Sequence, residues 1–295
     1  MSTTTLAAGG TLVAGTEARR GASFWSRFSR NRLGVIGLAI LIALSLAGTI
    51  GPFITAPPRQ QNLIDRERGP SLEYPFGTDE LGRDILARVV NGARISIASA
   101  LAAVAVGLLG GTLLGLTAGY LEGRLGLAIM AAMDLMLALP AILLAITIAA
   151  RLGPGLTSAM IASGLVDLPG YARLARGSTL AVKRREYIEA AESLGAGRWR
   201  IMRRHVLPNI LTPLIVQATI GVGNAILLVS ALGYLGLGAQ PPTPEWGRML
   251  SDAQRYILGS PHIGIFPGLA IALTVIGFNL AGDGLRDALE PTGWG

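Results

Sequence analysis

The 295-residue sequence contains no cysteine, one lysine, two histidines and few charged residues of either sign. The absence of cysteine excludes disulfides, thiolate catalysis and cysteine metal sites. The single lysine, Lys183, follows Val182, so there is no G-x-x-x-x-G-K-[ST] loop to hold the phosphates of ATP. Neither His205 nor His262 has metal-ligand spacing. A Ser-His-Asp triad stays open, but no G-x-S-x-G elbow indicates one, and we expect no catalysis, no cofactor and no metal.

Apolar residues take the place of the missing charge. The sequence is 51% hydrophobic and 15% charged, whereas soluble domains carry about 25% charged residues. The 40 glycines suit helix packing in lipid, where small residues let backbones approach closely. The net charge of +7 does not indicate nucleic acid, because the arginines cluster beside apolar segments, as is typical of membrane topology. We predict an all-α membrane protein that contacts lipid and binds no nucleic acid.

Six apolar segments predict six transmembrane helices. The first, residues 33–54, would be ~33 Å long as a helix, enough to cross the ~30 Å hydrocarbon core. It ends near Pro52 without a cleavage site, so we interpret it as an uncleaved anchor. The fourth segment ends at Pro169, and Pro213 predicts a kink in the fifth. The predicted spans are 33–54, 95–119, 125–150, 156–171, 209–238 and 263–282.

The basic residues predict the orientation of these spans. With a cytoplasmic N-terminus, the inside segments carry 16 lysines and arginines and the outside segments carry 9. The positive-inside rule therefore favours both termini in the cytoplasm. After the first span we expect an extracytoplasmic loop, and then a five-helix core that includes a cytoplasmic loop. The predicted divisions are a tail 1–32 with a disordered first part, the span 33–54, the outside loop 55–94, the core 95–285 with its loop 172–208, and a tail 286–295.

The segment 186–208 is polar and helix-prone although apolar segments flank it. Apolar residues recur at helical spacing along its first half, and acidic residues line the remaining surface. Gly195 and Gly197 permit a tight turn, because glycine reaches left-handed backbone conformations at little cost. A second short helix follows, with four arginines around Trp199, and Pro208 closes it. We predict a helical hairpin that docks on another protein; a helix on the lipid surface is the alternative, but the acidic first half matches anionic lipid poorly.

The hairpin also resembles the EAA loop of ABC-importer permeases. The pattern is Glu189-Ala190-Ala191, then Gly195, then His205-Val206-Leu207-Pro208. His205 stands where the general pattern has an aliphatic residue, a departure that the peptide-importer branch tolerates. The stretches Phe24–Gly34 and Tyr74–Ser96 resemble the second, C-type permease subunit of dipeptide, oligopeptide and nickel importers. The resemblance runs from Phe24 to Pro291.

This resemblance implies a type I importer permease in the bacterial cytoplasmic membrane, moving peptides or similar small solutes inwards. It implies as partners a homologous second permease subunit, two ATP-binding subunits that hydrolyse ATP, and an extracytoplasmic solute-binding protein. In that family the EAA loop is a coupling helix that sits in a groove of the ATPase subunit. The residues to which this role is carried over are Glu189, Ala190, Ala191, Leu194, Gly195, Leu207 and Pro208.

Polar residues outside the hairpin give two further sets of candidates. Charged groups within spans are costly and usually face a cavity or a partner, so three span residues are candidates for a translocation path: Asp134, Gln217 and Asn224. Hydrogen bonding between helices is the alternative for them. In the outside loop the candidates for a surface that docks the binding protein, or gates the path, are Asp79, Arg83 and Asp84. A purely structural lid over the span ends is the alternative for these.

Two other classes of protein stay open. A stand-alone secondary transporter or channel would need its own coupling-ion site and often an internal repeat, and no convincing repeat is present. A membrane scaffold or sensor would explain the hairpin but not the polar residues in several spans. The sequence also leaves open whether the cargo is a dipeptide, an oligopeptide, a nickel complex or a sugar, and whether the permease pair is homo- or heteromeric.

Overall fold

The computed structural model describes residues 24–289, which are mostly helical, with irregular segments at 55–84, 235–245 and 254–261. In this part of the chain the only β-type pairing is an isolated bridge between Thr78 and Asp84. The all-α prediction is therefore confirmed, while the predicted disorder of the first residues lies outside the described range. The helices are α1 (Phe24–Phe28), α2 (Arg32–Ile54), α3 (Ile85–Leu121), α4 (Gly123–Leu137), α5 (Ala141–Leu152), α6 (Leu156–Lys183), α7 (Glu186–Ser193), α8 (Arg198–Ile201), α9 (Leu207–Tyr234), α10 (Trp246–Ala253) and α11 (His262–Leu289).

Four helical stretches in the described residues are long and apolar enough to cross a bilayer: α2, α3, the continuous stretch Arg198–Tyr234, and α11. A fifth span results if α4 and α5 are counted as one broken helix, bent by 97°. The chain is therefore a multi-pass membrane protein with four to five strongly apolar spans. Helix α6 has 28 residues but is less apolar, with Asp167 and Arg173 along its length.

Helix α3 begins at Ile85, ten residues before the predicted start of the second span at residue 95. The physical reason is an N-cap, in which the Asp84 carboxylate accepts hydrogen bonds from the backbone N–H of Leu86 at 2.8 Å and of Ala87 at 3.4 Å. Such a cap satisfies donors that the first helical turn leaves unpaired. The polar residues 85–94 therefore belong to the first turns of a helix, and the division between loop and span at residue 94 stays a prediction.

Prolines act differently from the sequence prediction in two spans. Helix α6 runs through Pro169 to Lys183 instead of ending at residue 171, because it packs along its length on α3. The predicted span 125–150 is instead interrupted, since Pro140 stands at the start of α5 and Ala138 ends α4. Packing against a neighbouring helix thus offsets the hydrogen bond that one proline removes, and the other proline breaks its helix.

The second arm of the hairpin is not closed by Pro208. Helix α8 continues through a π-helical turn, Met202–Val206, directly into α9. In this turn the Leu207 N–H donates to the Met202 carbonyl, five residues back. The widened turn changes the hydrogen-bond register just before Pro208, the residue that lacks an N–H. The prediction of a separate short helix is therefore wrong, and the arm and the span form one rod.

Glycines set the close packing between the long helices. Four glycines of α3, spaced by four residues, face α6, and a Cβ on one of them, Gly111, would lie 2.6 Å from the Leu168 carbonyl oxygen. Helix α2 approaches α11 in the same way, since a Cβ on Gly37 would lie 2.7 Å from the Gly277 carbonyl oxygen. Side chains of any size would separate these backbones, as in other membrane helix pairs. The four glycines of α3 are Gly107, Gly111, Gly115 and Gly119.

Candidate coupling surface and the charged groups of the spans

The tip of the hairpin is a turn that requires a left-handed backbone conformation at Gly195. Gly195 has a φ of 81°, and its N–H donates to the Glu192 carbonyl at 2.9 Å. The next N–H, of Ala196, donates to the Ala191 carbonyl at 3.0 Å. This pair of hydrogen bonds is the Schellman arrangement, which ends a helix with one residue in the left-handed region. The angle between α7 and α8 therefore depends on Gly195.

The hairpin has one buried face and one exposed face. Ile188 and Ile201 are almost fully buried and anchor the hairpin against its own membrane domain. In contrast, Leu194 is 88% exposed and Trp199 is 70% exposed. Large apolar side chains grouped on a polar surface mark a site of interaction with another protein. The hairpin thus packs on the membrane domain through Ile188 and Ile201. Its opposite face, which carries Leu194 and Trp199 and is called the front below, has no partner among the described residues.

Most of the predicted coupling residues lie together on this front. Glu189, Ala190, Leu194 and Gly195 are exposed, and Ala191 is half-buried beside them. The other two residues lie apart, because Leu207 and Pro208 belong to the first turn of α9. The structure adds a basic group that the sequence analysis did not assign to the site, with a cavity of about 450 Å³ lined by Trp199, Arg200, Arg203 and Arg204.

Polar contacts join the hairpin to the end of α3, and the end of α3 to the end of α6. The Tyr120 hydroxyl, near the end of α3, contacts the Glu192 carboxylate of α7 at 3.4 Å. At the end of α6, Lys183 donates to the Glu122 carboxylate at 2.7 Å and to the Tyr120 carbonyl at 3.1 Å. The hydrogen bond from Lys183 lowers the pKa of the Glu122 carboxyl. A displacement of the hairpin would therefore reach α3 and α6 as well as α9.

The structure separates the three candidates for the translocation path. Asp134 of α4 forms an ion pair with Arg173 of α6, with 2.7 Å between Oδ1 and Nη2. Gln217 and Asn224 are exposed on α9 and lie seven residues apart, which is two turns along one helical face. Arg173 was missed because the prediction ended the fourth span at residue 171, which put this arginine in a loop.

The predicted outside-loop residues hold the loop together from within. Asp79 and Arg83 have side chains only 4% and 5% exposed, and Oδ2 of the aspartate lies 2.6 Å from Nε of the arginine. Arg88 of α3 approaches the same oxygen at 3.4 Å, and Glu80 pairs with Arg83 at 2.6 Å. Asp84 is the N-cap of α3. This geometry favours the structural-lid alternative for these residues over direct contact with another protein.

A second buried anchor was not found from the sequence. Glu245, which is fully buried, accepts hydrogen bonds from the backbone N–H groups of Gly247 and Arg248, both at 2.9 Å, and so caps α10. Burial raises the pKa of this carboxyl group. The neighbouring Trp246 indole donates to the Val89 carbonyl of α3 at 2.9 Å. An acidic residue just before an amphipathic stretch is the sequence pattern that indicates such a cap.

Several apolar spans around a shared core, with an exposed hairpin and a pinned outer loop, define a multi-pass membrane permease. Residues 111–292 match the family model described as "Binding-protein-dependent transport system inner membrane component". Residues 20–70 match the model described as "N-terminal TM domain of oligopeptide transport permease C". The chain therefore belongs to the family of inner-membrane permease components of binding-protein-dependent transport systems, and is not itself the ATPase.

Individual proteins extend this likeness over nearly the whole chain. It is 47% identical to the "Dipeptide transport system permease protein DppC" of Alkalihalophilus pseudofirmus, over 90% of this chain and 88% of that protein. It is 44% identical to the "Glutathione transport system permease protein GsiD" of Pectobacterium atrosepticum, over 91% and 90%. It is also 44% identical to the "Di/tripeptide transport system permease protein DppC" of Pseudomonas aeruginosa, over 91% of each chain.

A solved structure supports the fold. A chain of the MetNI methionine ABC transporter, in inward-facing conformations, aligns with a TM-score of 0.58 and 20% sequence identity. The alignment covers 68% of this chain and 96% of that chain. At this identity the likeness concerns the fold alone, which is that of a type I importer permease.

Proposed function

We propose that this chain is the C-type permease subunit of an ATP-driven importer that carries peptides into the cytoplasm. The observation that carries the proposal is the 44–47% identity, over about nine-tenths of the chain, to permeases named for dipeptides, di/tripeptides and glutathione. Glutathione is itself a short peptide, so all three names share one chemical class of cargo. A peptide importer needs few contacts with cargo side chains, because these vary.

The hairpin is the element through which ATP hydrolysis would drive the spans. Its front, with Leu194 and Trp199 exposed, is suited to dock in a groove of an ATP-binding subunit. The stretch Arg198–Tyr234 is one continuous helical rod of 37 residues, or ~55 Å at 1.5 Å per residue. A movement of α8 is therefore passed directly to α9, because no loop separates the docking surface from the membrane domain. Gly195 sets the angle of the other arm.

Six spans with both ends in the cytoplasm are the topology that we infer. The Asn31 amide, at the start of α2, donates to the Asp287 carboxylate near the end of α11 at 2.6 Å. This contact supports both ends of the chain lying on one side of the membrane, which requires an even number of crossings. Counting α4 and α5 as one span, and adding α6 at ~42 Å, gives six. The positive-inside rule then favours the cytoplasm for the hairpin.

The complete importer requires partners for the exposed surfaces. We infer a second, homologous permease beside this chain, two ATP-binding subunits beneath the hairpins, and a solute-binding protein outside. Because Asp79 and Arg83 face inwards, the binding protein would contact the exposed residues of the outer loop, and the buried ion pairs would keep that loop in shape.

Assembly tests this proposal directly. Purification of the tagged chain in mild detergent should recover a second permease and two ATP-binding subunits, and the reconstituted complex with its binding protein should import dialanine. Leu194→Asp should remove the ATP-binding subunits while the second permease stays bound. Leu258→Asp is the matched control, since Leu258 is 99% exposed on the loop before α11, outside the hairpin. A chain that purifies alone and transports without ATP would contradict the proposal, as would equal effects of the two substitutions.

A further inference from the structure

One ion pair lies in the spans with both of its side chains open. Nη2 of Arg173 is 2.7 Å from Oδ1 of Asp134, and the side chains are 53% and 59% exposed. Arg173 stands ten residues before Lys183 at the end of α6, and Asp134 stands eleven residues after Gly123 at the start of α4. At 1.5 Å per residue, both lie ~15 Å along their helices from the ends at Lys183 and Gly123.

This exposure is unlike that of the structural pair in the outer loop. There Asp79 and Arg83, at a similar distance of 2.6 Å, have side chains no more than 5% exposed. Charged groups facing lipid at the bilayer centre cost several kcal/mol, ~2.5–3.5 each on insertion scales, so they face water or a partner. The open pair on α4 and α6 therefore faces water or a polar partner in the assembled permease, and we take it to face water.

The surroundings of Arg173 are also open. Gly170 and Gly177 lie one turn to either side of it on the exposed face of α6, and a Cβ at either glycine would meet no atom within 4 Å. They thus differ from the glycines of α3, which face the backbone of another helix. A guanidinium has five N–H donors, and in the described residues Arg173 directs one of its nitrogens at Asp134. Its remaining N–H donors can therefore bind a ligand, and Gly170 and Gly177 leave open space beside them.

We propose that Asp134 and Arg173 form a subsite for the two charged ends of a short peptide, with Arg173 binding the terminal carboxylate and Asp134 the terminal ammonium. The inference rests on the peptide cargo proposed above. A free peptide carries one group of each sign at its ends, whatever its side chains are. Without cargo each charge of the pair neutralises the other. With cargo the pair opens and each member gains an oppositely charged end group, which preserves the balance of charge in the span.

Equilibrium binding of labelled dialanine to the purified complex without its binding protein tests the subsite. N-acetyl-dialanine keeps only the carboxylate, and dialanine amide keeps only the ammonium, so each competitor probes one residue. Arg173→Gln should weaken dialanine and N-acetyl-dialanine about tenfold, the size of one charge-assisted hydrogen bond, and should not weaken the amide, because Asp134 no longer has to leave Arg173 to bind it. Asp134→Asn should weaken dialanine and the amide about tenfold and should not weaken the N-acetyl peptide.

A third variant guards against loss of folding. Gly177→Leu keeps both charges and enters open space, so the complex should assemble as usual while dialanine binding falls. Equal loss for all three peptides in both charge variants, Arg173→Gln and Asp134→Asn, would show that the pair only holds two helices together and would overturn the subsite. Absence of displaceable binding to the wild-type complex would also overturn it. A separate measurement tests the proposed function. If the wild-type complex with its binding protein does not import dialanine with ATP, the proposed function fails, whatever the binding experiments show.

Discussion

Replacing Gly195 by valine isolates the contribution of the hairpin turn to coupling. A Cβ at this position would meet no atom within 4 Å, so the added side chain causes no steric clash with the rest of the protein. The cost lies in the backbone alone, since φ is 81°. For L-residues the left-handed region costs about 1–2 kcal/mol, and β-branched side chains are among the least tolerant of it.

This cost is large compared with the stability of one exposed turn. At 1.4 kcal/mol per factor of ten, the observed turn would become about 5- to 30-fold less populated relative to other arrangements of the hairpin. We expect Gly195→Val to insert and to retain the second permease, since the buried face of the hairpin is unchanged. Uptake of dialanine per ATP hydrolysed should fall, because the two arms no longer meet the ATP-binding subunit at one fixed angle.

Gly197 provides the matched control. It lies two residues away, its φ of −65° and ψ of 149° are ordinary for valine, and a Cβ there also meets nothing within 4 Å. The assay is dialanine uptake into proteoliposomes, with the binding protein present in the assay medium. In this assay Gly197→Val should import as much dialanine per ATP hydrolysed as the wild-type complex does. Gly195→Asn should be intermediate, because asparagine tolerates the left-handed region. Equal uptake by the two valine variants would refute the argument from backbone geometry.

Three further predictions concern assembly and stability. Gly111→Ala should lower the amount of folded protein, because its Cβ would lie 2.6 Å from a backbone oxygen of α6. Gly268→Ala makes an ordinary 3.9 Å contact and should leave that amount unchanged. Fluorescence-detected gel filtration measures both. Asp79→Asn removes the carboxylate paired with the buried Arg88 and one of the two paired with the buried Arg83, and should cost about 3–5 kcal/mol. Glu73→Gln, in an exposed pair, should cost about 0–1 kcal/mol. Thermal unfolding in detergent measures both. Burial raises the pKa of Glu245, so its contribution to stability is fully present below the ordinary value of 4.5 and is lost as the pH rises through the raised pKa. Glu245→Gln should flatten this part of the pH profile of unfolding, and an unchanged slope would contradict it.

Features that depend on a few neighbouring residues were predictable. The first span follows from one uninterrupted apolar run, and α2 ends at Ile54 as predicted. The turn at Gly195 follows from the residue type, because glycine is the residue that pays least for a left-handed φ. The family was recognisable from motifs in the hairpin and in the outer loop. In contrast, the prolines misled the prediction, since Pro169 is accommodated within α6 and Pro140 stands at a break.

The sequence by itself determined that this is an all-helical membrane protein with a polar hairpin, because apolar length and turn chemistry are properties of short segments, and its motifs resemble those of importer permeases. Only the tertiary structure revealed which charged residues meet. Asp134 and Arg173 are 39 residues apart, and the Trp246 indole reaches a carbonyl 157 residues away. Such pairings depend on how whole helices pack, and close glycine contacts fix that packing. The open Asp134–Arg173 pair and the contact of Trp246 with α3 are therefore consequences of helix arrangement, which no local pattern encodes.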